Sequence, residues 1–124
     1  HPDSLRALLV RVNRDYSVKA LVITENGAAW PEGPGPDGRV RDVRRRDYLS
    51  QHLSSCLDAI DQDAPLVGYF GWSLMDNFEW AWGYDKRFGL VHVDYETQVR
   101  TPKDSALWFG RVARDRLLWD VPED

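Results

Sequence analysis

The sequence lacks most of the features that mark broad classes of protein. Cys56 is its single cysteine, which excludes a disulfide framework and fits a reducing compartment, with the cytoplasm the expected location. No apolar run approaches the roughly 20 residues of a membrane-spanning helix, so no membrane association is expected. No signal peptide opens the chain, although His1-Pro2-Asp3 does not resemble a natural start, so little weight rests on that. Neither sign of charge dominates: 16 Lys and Arg stand against 20 Asp and Glu, net −4, which argues against a nucleic-acid surface. His1, His52 and His92 are isolated, and no residues show metal-ligand spacing. The histidines are assigned surface or core roles, and no metal and no cofactor is expected.

Tryptophan, by contrast, is plentiful: there are six, and Trp72, Trp80 and Trp82 fall within eleven residues. The other strong signal is Ala20-Leu21-Val22-Ile23 running straight into Thr24-Glu25-Asn26-Gly27. A continuous apolar run ended by Asn-Gly reads as a buried parallel strand, about residues 19–25. Leu66 to Leu74 reads as a second strand, apolar on both faces. Helices are expected at about 3–14, 42–61 and 103–118. The first carries the stripe Leu5, Leu8, Leu9, Val12; the second Leu49, Leu53, Cys56, Leu57, Ile60; the third Ala106, Phe109, Val112, Ala113, Leu117. Three prolines and three glycines in residues 31–38 make that stretch a surface loop. Arg87 to Val93 is expected to form a short hairpin strand, and Trp119 onward a polar tail.

Several conspicuous residues have plain explanations. Arg39, Arg41, Arg44, Arg45 and Arg46 resemble an anion site, but a solvated helix face paired with Asp42 and Asp47 accounts for them. Cys56 lies on the apolar stripe and reads as a core thiol. Trp82 and Trp108 read as core filling. Glu25 differs, because it stands where a buried strand ends, the position from which catalytic groups project in a barrel of alternating strands and helices. Glu79 stands between Trp72 and Trp80 just past the second strand. Indole faces stack on the apolar face of a pyranose, while carboxylates and indole N–H groups bond its hydroxyls.

The order helix, strand, helix, strand, helix gives a right-handed βαβ unit. Two parallel strands with open edges do not finish a domain, so the chain reads as a slice of a larger α/β protein. Its motifs resemble glycoside hydrolase family 1, the β-glucosidase family. They are Ile23-Thr24-Glu25-Asn26-Gly27, Trp72-Ser73-Leu74-Met75-Asp76-Asn77-Phe78-Glu79-Trp80, Gly83-Tyr84-Asp85-Lys86-Arg87-Phe88-Gly89-Leu90, Asp94-Tyr95 and Arg100-Thr101-Pro102-Lys103. The resemblance implies the C-terminal part of a (β/α)8 TIM barrel, strands seven and eight with their helices.

It also implies retaining hydrolysis of a β-glycosidic bond with Glu25 as the nucleophile. Trp72 would be the platform under the glycone sugar, Glu79 would accept bonds from two of its hydroxyls, Trp80 would donate to another, and Phe88 would wall the subsite. Members acting on 6-phosphorylated sugars lack an acidic residue at the position of Glu79, so an unphosphorylated β-glucoside or related small saccharide is the expected substrate. The acid/base Glu of the family lies in an Asn-Glu-Pro motif, which does not occur here. The expected partner is therefore the remaining, N-terminal barrel segment, carried in some arrangement on a separate chain, and these 124 residues alone are expected to be inactive. The rival is a non-catalytic carbohydrate-binding module or a structural segment that completes a barrel; such modules are usually sandwiches of many short strands, and the helical stripes here count against one.

Overall fold

A computed structural model describes residues 1–121. Helix α1 spans Pro2–Tyr16, strand β1 Leu21–Asn26, helix α2 Val43–Ile60, strand β2 Leu66–Gly71, strand β3 Val91–Val93, strand β4 Arg100–Pro102 and helix α3 Asp104–Asp115. A short 3-10 turn covers Trp80–Trp82. Proline in the first turn of α1 suits the expected start, and Ser17 closes that helix in the left-handed conformation, its N–H donating to the Asn13 carbonyl.

β1 and β2 pair in parallel, with Ile23 opposite Tyr69 and Asn26 opposite Gly71. α2 makes the crossover, so the βαβ reading holds. The register slips between Leu21 and Val22 and again between Ile23 and Asn26. Through the first slip, a methyl on Gly68 would lie 3.3 Å from Val22 Cγ1 and 3.8 Å from Phe70 Cε2. Val22, Gly68 and Phe70 thus share the sheet face turned away from the helices. Ile23, Leu66 and Tyr69 face the other way and pack against α1 and α2 with Leu9, Cys56, Ala59 and Ala64. A second cluster joins α2 to α3 through Leu49, Leu90 and Trp108.

The strands were expected to be buried on both faces, and they are not: Val22 is 48% and Phe70 62% exposed. Both residue types are apolar because the face they occupy has the composition of an interior. β2 also ends at Gly71, three residues before the expected Leu74. From Ser73 the chain leaves β1 and pairs with residues 88–91 instead: Ser73 N donates to Phe88 O, Leu90 N to Ser73 O, Val91 N to Leu74 O and Asp76 N to Val91 O. The expected hairpin is present in shorter form, β3 pairing antiparallel with β4.

The arginine run is a solvated face only in part. Arg39, Arg41 and Arg44 are exposed, whereas Arg45 and Arg46 are buried, 2% and 5% exposed. They lie on the side of α2 that meets the rest of the chain, where Arg45 donates to Asp42 at 2.9 Å and to the Arg87 carbonyl at 2.6 Å. Trp82 is not core filling either: it is 63% exposed, with the Lys86 ammonium 4.7 Å from its ring centre. Leu8, Leu57 and Ile60 of the expected stripes are exposed as well, and α3 stops before Leu117. The tail docks rather than trailing, since the Trp108 indole donates to the Trp119 carbonyl at 3.2 Å and Arg111 covers the Trp119 ring. The last three residues of that expected tail, 122–124, lie outside the described residues. Cys56 and Trp108 are buried as expected, and so are His52 and His92. Burial pushes the Cys56 thiol up to about 11, the range of an inert core thiol. Among the described residues no helix is long and apolar enough to cross a membrane.

Candidate active site at the strand ends

Parallel pairing puts the C-terminal ends of β1 and β2 on one side of the sheet, and Glu25 and Trp72 lie at those ends. Glu25 is exposed on the penultimate residue of β1. The irregular register between Ile23 and Asn26 leaves both Thr24 and Glu25 exposed rather than turning one toward the helices. Asn26 then faces back into the protein. Its side-chain oxygen accepts from the Tyr69 hydroxyl at 2.7 Å and its amide donates to the Tyr48 hydroxyl at 3.2 Å. Burial pushes the Tyr69 phenol far up, so the hydroxyl stays a donor at any working pH. Asn26 is a site residue that the sequence reading treated as turn chemistry alone. Fixing both ends of its amide fixes the backbone that carries Glu25.

The same residue ties the two strand ends together. Trp72 N donates to Asn26 O at 2.8 Å. Gly27 follows with no room for a side chain, since a Cβ there would stand 1.8 Å from the Trp72 carbonyl oxygen. Trp72 is 39% exposed, and its indole N–H donates to Glu79 Oε1 at 3.3 Å. The Trp72 indole and the Glu79 carboxylate are thus joined across seven residues of sequence. The Trp72–Ser73 peptide is cis. Phe88 is half-buried, its carbonyl accepting from Ser73 N at 3.2 Å. Trp80 stands apart from this group on the 3-10 turn, 84% exposed. The turn is closed by Glu79 N donating to Gly83 O and Trp82 N to Glu79 O.

Beneath the site lies a buried charge cluster that the sequence did not disclose. The Asp76 carboxylate, fully enclosed, accepts from Lys103 Nζ at 3.0 Å, Arg87 at 2.8 Å and the Gly89 amide at 2.9 Å. Lys103 is pulled below its usual range by burial first and by the nearby Arg45 cation second, with Asp76 opposing both. Asp42 holds the N-terminus of α3, accepting from the Ser105 backbone N–H at 2.8 Å and from its hydroxyl. These partners are 11 to 63 residues apart in sequence; a lone Asp inside an aromatic motif gives no sign of them.

A cavity of about 640 Å³ opens beside the loop, lined by Trp72, Phe78, Tyr84, Tyr95 and Arg100 among others. It touches Trp72 but not Glu25, Glu79 or Trp80. The carboxylates therefore sit on an open surface, not in this hollow. Among the described residues no group of three or more His, Cys, Asp or Glu side chains comes together as a metal site would require.

The model of glycosyl hydrolase family 1 matches residues 1–117. β-Glucosidase A of Thermotoga maritima is 48% identical over 119 residues, covering 96% of this chain and 27% of its own length. A bifunctional β-D-glucosidase/β-D-fucosidase of Bifidobacterium breve is 52% identical over 118 residues. A 6-phospho-β-galactosidase of Streptococcus equi subsp. zooepidemicus is 45% identical over 119. A solved family 1 β-glucosidase of Thermotoga maritima superposes with a TM-score of 0.95 at 48% identity, over 97% of this chain and 27% of that one. The chain thus spans about a quarter of the length of the relatives it matches, and its fold is part of their barrel.

Proposed function

The chain belongs to glycosyl hydrolase family 1, and from that premise we propose that it supplies the nucleophile and part of the glycone subsite of a retaining β-glucosidase. The observation that carries this is the shared strand end. Glu25 is exposed one residue before Asn26, and the Asn26 carbonyl holds the backbone of Trp72, whose indole in turn holds Glu79. One carboxylate, Glu25, is exposed at the strand end, and a second, Glu79, is already oriented by the Trp72 indole.

In this reading β1 and β2 are strands seven and eight of the barrel. Glu25 attacks the anomeric carbon and forms a glycosyl ester as the aglycone oxygen leaves. A second carboxyl group protonates that oxygen and later activates water, which returns the free Glu25 carboxylate. Such a pair stands about 5–5.5 Å apart. No Asn-Glu-Pro run occurs in the sequence, so the second carboxyl comes from the remainder of the barrel. Trp72 stacks under the sugar, Glu79 and the Trp80 indole bond its hydroxyls, and Phe88 walls the subsite. Glu79 also sets the substrate class, because a carboxylate at this place repels a phosphorylated sugar. The substrate is accordingly an unphosphorylated β-glycoside, although the relatives include 6-phospho-β-galactosidases.

The test is a chimaera in which this chain replaces the matching residues of the Thermotoga maritima β-glucosidase A. The chimaera should hydrolyse an aryl β-glucoside, and Glu25→Gly within it should abolish turnover while leaving the thermal transition in place. An active Glu25→Gly chimaera would remove Glu25 from the mechanism.

A further inference from the structure

The Asp76 cluster lies behind the proposed subsite, and none of its side chains is among those that face the sugar in that reading. Its connections nevertheless lead there. Residues 73–76 and 88–91 run side by side, joined by the four backbone bonds already described. Trp72 precedes the first run and Glu79 follows it by three residues, while Phe88 begins the second. Asp76 stands at the end of the first run and locks it to the second by accepting the Gly89 amide at 2.9 Å. Its other oxygen takes Arg87 at 2.8 Å, and Arg87 also donates to the Val93 carbonyl. Lys103 at 3.0 Å ties the same carboxylate to the start of α3. The Lys103 backbone N–H closes the circuit by donating to Leu90 O. Gly89 has no space for a side chain, a Cβ there falling 2.1 Å from Asp76 N.

We infer that Asp76 is a positioning residue for glycone recognition, its carboxylate holding the Trp72–Glu79 and Phe88 runs in one register through Gly89, Arg87 and Lys103. This inference rests on the proposed reading of Trp72 and Glu79. Two cations and an amide around one enclosed carboxylate exceed what charge neutrality alone requires, and they come from two separate stretches of the chain, residues 87–89 and Lys103. Removing the charge leaves Lys103 and Arg87 facing each other without their common partner. The two runs then part where Glu79 is set.

The test uses the chimaera with Asp76→Asn, and with Asp76→Asn combined with Lys103→Met, which removes one of the two stranded cations. Two readouts separate positioning from bulk stability. The first is kcat/KM for an aryl glucoside against the matching xyloside, which lacks the hydroxymethyl group. The second is affinity for deoxynojirimycin, the ligand of one structural relative, which needs no turnover. Misplacement of about 1 Å costs on the order of a hundredfold, so Asp76→Asn should lower the glucoside-to-xyloside preference at least tenfold and weaken the inhibitor by about the same factor. In the double variant Tm should recover toward the parent while the preference stays lowered. Equal losses on both substrates with unchanged inhibitor affinity, or a preference that recovers together with Tm, would overturn the inference. Should Asp76→Asn alone fail to fold, the double variant carries the same comparison. A parent chimaera that binds deoxynojirimycin without hydrolysing glucosides counts against the proposed function, and the binding readout still decides the role of Asp76.

Discussion

Replacing Gly27 with alanine tests whether the two strand ends are coupled as the structure has them. The φ angle of Gly27 is not in the positive region, so alanine meets no backbone penalty there. The obstacle is contact: the new methyl would lie 1.8 Å from the Trp72 carbonyl oxygen and 2.8 Å from its carbon. Ordinary contact begins near 3.4 Å, so about 1.6 Å must be opened between two backbone segments. Neither can swing aside as a side chain does, because Trp72 N is bonded to Asn26 O at 2.8 Å, immediately before Gly27. Overpacking of this kind costs about 1–3 kcal/mol, and loss of the Asn26–Trp72 bond about 0.5–1.5 kcal/mol more. Folding therefore survives from a margin of about 5–15 kcal/mol, with a lowered Tm. Activity suffers more, since a shift of 1 Å in a reacting group costs on the order of a hundredfold. The assay is kcat/KM on an aryl β-glucoside in the chimaera, read beside Tm. A Gly27→Ala chimaera with parental activity and parental Tm would show that Glu25 and Trp72 are not joined through this contact.

Three further outcomes are expected. Glu79→Ala should lower kcat/KM for glucosides by about a hundredfold or more, because two charge-assisted hydrogen bonds at about 1.5–3 kcal/mol each are lost; the loss on xylosides should be smaller, and equal losses would make Glu79 structural only. Purified alone, the 124-residue chain should show no cooperative melt and no aryl-glucosidase activity. Val22 and Phe70, 48% and 62% exposed, forgo about half of what full burial would give, about 1.5–3 kcal/mol together, and a sharp calorimetric transition from an active monomer would contradict this. His52 and His92 both have lowered pKa values, chiefly through burial. They fold neutral and must charge on unfolding, so stability is present above about pH 6.5 and is lost as pH falls through that value and below; a Tm that does not drop between pH 7 and pH 5 in the chimaera would refute it.

Much of this site is legible in the sequence because its signals are local. A buried strand ending in Thr24-Glu25-Asn26-Gly27 announces its own boundary, and the spacing of Trp72, Glu79 and Trp80 lies within one loop. The stripes of α1, α2 and α3 place the helices within a few residues. The errors have a common physical origin. Val22 and Phe70 have the composition of buried residues, yet the described residues leave that face about half open. Arg45 looks like a surface residue because its partners, Asp42 and the Arg87 carbonyl, come partly from 42 residues away. Trp82 looks like core because tryptophan usually is, while here it rides an exposed turn under Lys86. Asp76 carries no local signal at all, since its donors lie 11 to 27 residues further on.

Glu25 as nucleophile is the central claim, and trapping the ester tests it most directly. A 2-deoxy-2-fluoro-β-glucoside with a good leaving group slows hydrolysis of the glycosyl-enzyme more than its formation, so the intermediate accumulates on whichever carboxylate attacked. After incubation with the chimaera and digestion, mass spectrometry should find the sugar on the peptide containing Thr24-Glu25-Asn26 and fragmentation should place it on Glu25. Sugar on Glu79, on Asp76 or on a carboxylate of the grafted segment would contradict the account.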